Sequence, residues 1–117
     1  IAEALGGSSE LEIPVSLPAT LNDATLAATA RKAATELFGA ESIHPMEPMM
    51  GVEDFSWYSS SFPSLFVMLG TRLGDGVDRP LHSSRFDIDD GVLYKGSALL
   101  SLAALDVLSG SPRQGGS

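Results

Sequence analysis

Five consecutive apolar residues, Leu65 to Leu69, stand between Pro63 and Gly70 in the stretch PSLFVMLG. A run this short and this apolar reads as a strand buried on both faces, which needs helices above and below a sheet. The flanking segments agree. NDATLAATARKAATELFG (22–39) has the helical period: Asn22 or Asp23 can cap it, Leu26, Ala30, Ala33 and Leu37 form an apolar stripe, and Gly39 supplies the stop. GVLYKGSALLSLAALDVL (91–108) reads as a second long helix, nearly all apolar, with Asp89 and Asp90 at its positive end. Gly96 weakens that helix unless a neighbour approaches closely there, so the helix is expected to lie flat on the sheet.

The remaining segments read less strongly. ELEIPVSLP (10–18) alternates, with Leu11, Ile13, Val15 and Leu17 on one face, as a half-buried strand does, and Pro14 marks an edge or a bulge. ESIHPMEPMM (41–50) reads as a short strand entering a Pro-punctuated loop, with His44 structural. GVEDFSWYSS (51–60) reads as a short helix opened by Gly51, its aromatics Phe55, Trp57 and Tyr58 belonging to a core. IAEALGG at the start resembles the last turns of a helix already under way. Strand, helix, strand, helix, strand, loop and helix make an α/β chain, with the first strand set apart in character.

Composition limits the partners. The net charge is −8, from 15 acidic and 7 basic residues, which disfavours nucleic acid or an anionic membrane surface. No apolar run approaches the ~20 residues of a membrane span. There are no cysteines, so disulfides and zinc thiolate sites are out, and a reducing compartment fits, with the cytoplasm as the default expectation. With 44% hydrophobic residues over 117, the chain is expected to bury a real core.

His82 is the residue with chemical potential. It is one of two histidines and lies in PLHSSRF (80–86), between the apolar run and the last helix. Sites in open α/β sheets gather in such loops, and imidazole is the commonest metal ligand and general base. Asp87, Asp89 and Asp90 could orient the ring or cap the helix. From spacing alone, a loop histidine bonded to backbone is the favoured reading. The chain has no G-x-S-x-G elbow, no H-E-x-x-H helix and no phosphate-binding glycine pattern in GTRLGDG (70–76). Glu53 and Asp54 are adjacent, and neighbours on a helix point about 100° apart. One histidine falls short of the three ligands a catalytic metal takes.

Two segments carry a resemblance. MEPMMGVEDFSWY (46–58) and PLHSSRFDIDD (80–90) resemble the closing part of the metal-dependent aminoacylase and amidohydrolase family, which includes hippurate hydrolases, indole-acetyl-amino-acid hydrolases and related carboxypeptidases. LPATLND, FVMLGT and the long apolar helix follow the family's order from about Glu10 to Leu108. The resemblance implies an α/β catalytic domain with two divalent ions (Zn, Mn or Co) and an inserted α+β satellite used for dimerisation. Residues 1–20 then correspond to the satellite's end, 21–109 to the returning part of the catalytic domain, and 110–117 to a disordered tail. It implies His82 as the last metal ligand and, weakly, Glu53 and Asp54 near the substrate pocket. The other ligands and the general-base glutamate are expected upstream, in a missing N-terminal part, so the 117 residues alone are expected to be inactive. The implied substrate is an N-acyl amino acid or short peptide, and the implied assembly a homo-oligomer. The alternative is a free-standing, non-catalytic interaction module derived from such an enzyme.

Overall fold

The computed structural model describes residues 1–110; the part of the expected tail from Ser111 onward lies outside the described residues. Two long helices dominate, α1 (Ala24–Phe38) and α3 (Leu93–Leu108), with a short α2 (Ser56–Ser61) between them in sequence. Single 3-10 turns occupy Glu3–Leu5, Ala40–Ser42 and Asp90–Val92.

The ends of α1 follow from its sequence. Asp23 is the N-cap, its carboxylate accepting from the Leu26 amide at 2.9 Å, and Gly39 takes the C-cap at φ 84. Asn22 acts elsewhere. Its side-chain amide brackets the backbone of Phe66, donating to the carbonyl at 3.0 Å and accepting from the amide at 2.7 Å. With Asp23 N–H donating to Ser64 O at 2.8 Å, this pins the apolar segment to the start of α1. The segment's other end is tied to the start of α3, where Asp89 N–H donates to Thr71 O at 2.9 Å. Asp89 also caps that helix start through Gly91 N–H, as its position predicts.

Helices α1 and α3 pack on each other, with Lys95 placed over the Phe38 ring at 5.8 Å. Gly96 does admit a neighbour: a Cβ there would stand 3.2 Å from Leu69 Cδ2. That contact is the free end of a flexible side chain that is itself 38% exposed, so it can give way. Gly96→Ala is therefore expected to raise helix stability by about 0.5–1 kcal/mol, read from the circular-dichroism melt.

Three expectations need correction. The first is the core. Ala30 and Ala33 are the buried apolar residues among those described; Leu26 is half-buried and Leu37 is 39% exposed. The radius of gyration is 19.7 Å, where a compact chain of this length has about 13 Å. The physical reason is that two helices and one tethered segment do not enclose a volume. The second is α2, which begins at Ser56, not Gly51, with Phe55 as its N-cap residue, where the Glu53 carboxylate accepts from Phe55 N–H at 3.2 Å. Its aromatics are not core: Trp57 and Tyr58 are exposed, and Phe55 rests against Phe66 and Tyr58 with ring centres 5.4 and 5.7 Å away.

The third concerns membrane length. Including the 3-10 turn before it, Asp90–Leu108 is a helix of 19 residues, long and apolar enough by composition to cross a bilayer. Lys95 inside it and its packing on α1 equally suit a helix covered by protein on both sides.

No strand occurs among the described residues, including 10–18 and 63–71. A strand exists only as part of a ladder, and the backbones of Val67, Met68 and Leu69 have no hydrogen-bonding partner among the described residues. Leu11, Ile13 and Val15 are likewise exposed.

Candidate functional site

The loop from Thr71 to Asp89 is built in tiers. Its base is the backbone bond between those two residues. On its outgoing limb is an ion pair: Arg79 Nη1 and Nη2 donate to Asp75 Oδ1 and Oδ2 at 2.9 and 2.7 Å. Gly76, at φ 73, lets the chain turn back tightly enough for this fork, and Val77 N–H adds a third bond to Asp75 Oδ1 at 3.1 Å. Arg79 also lines a cavity of about 160 Å³ with Arg72 and Phe86, together with Asp87 on the returning limb.

The Arg79 hydrogen bonds hold the Asp75 carboxyl down at about 2, and the Val77 amide adds to this. Asp75 in turn pushes the Arg79 guanidinium up, with Asp87 contributing through its charge. A carboxyl depressed on folding lends its stability above its ordinary value near 3.8 and loses it as pH falls through about 2. The Asp75–Arg79 pair is therefore expected to hold from pH 4 upward and to weaken between about pH 4 and 2. Amide exchange along 75–79 as a function of pH checks this.

His82 sits at the tip. Ser83 N–H donates to Pro80 O at 3.2 Å, which makes Pro80 to Ser83 a four-residue turn with His82 in its third position at φ 63. A positive φ in that position is the type II pattern, where glycine or asparagine ordinarily stands. His82 is the one non-glycine residue with positive φ among those described. Its imidazole is exposed, and no hydrogen bond holds the ring among the described residues. The reading of His82 as bonded to backbone is thus not what the structure shows.

The nearby polar residues are occupied locally. Ser83 Oγ accepts from Arg85 N–H, Asp87 from Ile88 N–H, and Asp89 from Gly91 N–H. They shape the turn and the helix start instead of orienting the ring. Glu53 and Asp54 lie exposed at the start of α2, and no group of three or more His, Asp or Glu side chains gathers closely enough for a metal among the described residues. His82 offers one free nitrogen ligand, not a set. His44 is exposed and stands apart from any such group.

The structure also shows a polar group that patterning does not reveal. Ser56 is fully buried beside the aromatics of α2, and its hydroxyl finds no partner among the described residues. Its apolar neighbours in sequence hide it, and only the three-dimensional packing exposes it as an anomaly.

The pattern of peptidase family M20/M25/M40 matches residues 8–106. The chain belongs to this family. Among its relatives, a probable hydrolase of Synechocystis sp. is 32% identical over 106 residues, 89% of this chain and 27% of that protein. An IAA-amino acid hydrolase of Arabidopsis thaliana is 29% identical over 99 residues, 85% of this chain and 23% of that protein. Thermostable carboxypeptidase 2 of Saccharolobus solfataricus is 40% identical over 60 residues, 50% of this chain and 15% of that protein. The M20/M25/M40 chain thus spans about a quarter or less of the length of these relatives. No solved structure gives a significant match.

Proposed function

We propose that these residues form the closing part of a metal-dependent hydrolase that cleaves the amide bond of N-acyl amino acids or short peptides. Family membership and relatives named as an IAA-amino acid hydrolase and a carboxypeptidase support the reaction class. The observation that carries the site is His82. A left-handed conformation costs a non-glycine residue about 1–2 kcal/mol, and such strain clusters where a particular side chain is needed for function. Here it turns a free imidazole outward from the tip of a braced loop.

His82 alone does not hold a catalytic divalent ion, and the further ligands and a glutamate base are assigned to chain outside these residues. Such ions, when bound, supply Lewis-acid chemistry, lowering the pKa of water and polarising a carbonyl. The work of this chain is to present one nitrogen ligand and hold its direction. Glu53 and Asp54 are assigned to the rim of the substrate pocket, where carboxylates would favour a cationic or neutral portion of the substrate over an anionic one. The fold proposed for the whole is α/β, with 63–71 as a sheet strand between α1 and α3 and residues 1–20 belonging to a second, satellite domain.

The test uses the complete protein. Hydrolysis of hippuryl and N-acetyl amino acids is expected to stop on dialysis against a chelator and to return with Zn, Mn or Co. Activity unaffected by chelation, at verified metal removal, overturns the proposal.

A further inference from the structure

The deliberate placing of His82 depends on more than its own turn. A loop of this length with no internal bracing would let its tip wander, because the backbone bond at its base constrains only the ends. The forked pair between Asp75 and Arg79 removes part of that freedom, by closing the 75–79 turn on the limb that leads to the tip. It is bidentate, with every carboxylate oxygen engaged, which is the geometry in which a surface ion pair contributes most. Its location matters as much as its quality. Arg79 directly precedes Pro80, the first residue of the turn that presents His82, and lines one cavity with Asp87 of the returning limb.

We propose that Arg79 is a positioning residue for His82: its fork onto Asp75 closes the 75–79 turn directly before Pro80 and so fixes the direction in which the imidazole is presented. Lysine cannot replace it, because a single ammonium does not reproduce two parallel N–H bonds. This inference rests on His82 being a ligand, but the bracing itself stands apart from any metal.

The experiment compares Arg79→Gln, Arg79→Lys, Asp75→Asn and the charge-swapped double variant D75R/R79D in the complete protein. Two readouts are taken: amide hydrogen exchange over 80–86 without metal, and Zn affinity by equilibrium dialysis. The single variants are expected to exchange faster over 80–86, with exchange over α1 and α3 unchanged. Zn binding should weaken about 10-fold, as loss of a group supporting a metal ligand does. The double variant should recover part of both. Unchanged exchange over 80–86 in Arg79→Gln and Asp75→Asn overturns the inference. Should the unaltered protein bind no Zn, the proposed function fails, while the exchange result still decides the bracing.

Discussion

Replacing His82 by alanine in the complete protein is expected to remove most of its hydrolytic activity, by 100-fold or more, together with metal occupancy at one site. The imidazole has no structural task to lose among the described residues, where it is exposed and makes no hydrogen bond. His82→Gly sharpens the test. Glycine enters the positive-φ region without steric cost, so relieving φ 63 should leave the melting temperature equal to or above that of the original protein. Activity should be as low as in His82→Ala. A residue kept for packing would show the opposite pattern, with stability falling and activity following it. Turnover close to the original, at unchanged metal content by elemental analysis, would sink the assignment of His82 as a ligand.

That contrast between stability and activity shows how much was readable from sequence. His82 could be singled out because imidazole is rare here and its loop follows an apolar run. Its left-handed backbone could not be, since Pro80-Leu81-His82-Ser83 contains none of the glycine or asparagine that signals such a turn. The same division holds through the fold. Helix α1, its Asp23 cap and its Gly39 stop, and the Asp89 cap before α3 are local properties and appear where periodicity and capping place them. Gly96 announced a close approach without naming Leu69 as the neighbour. Contacts across long separations left no signal: nothing in the string says that Asn22 holds Phe66, or that Asp89 is bonded to Thr71. The strands stand apart from both groups. Alternation at 10–18 and the apolar run at 65–69 state which residues suit a sheet, but a ladder requires a second strand that no segment of this chain supplies among the described residues.

The second large effect concerns the 117 residues taken alone, which are expected to self-associate at micromolar concentration and to hydrolyse nothing. The accessible surface is 9694 Å², where a compact monomer of 12.2 kDa exposes about 6,000 Å². The excess is more than twice the ~1,600 Å² that a standard protein interface buries in total. Much of it is apolar: Leu93, Tyr94, Leu100, Leu105 and Leu108 of α3 are all exposed. Beside them, Val67 to Leu69 offer unpaired backbone groups, the template on which another chain can add. The net charge of −8 opposes association by mutual repulsion. Salt near 0.15 M shortens the reach of that repulsion to about 8 Å while leaving apolar contact intact. Association measured by sedimentation velocity should therefore strengthen as salt rises, the reverse of an assembly held by ion pairs. A stable monomer at low and high salt, with a cooperative melt, would show that the exposed faces need no cover. Association that weakens with salt would place the contact on charged groups instead of on α3.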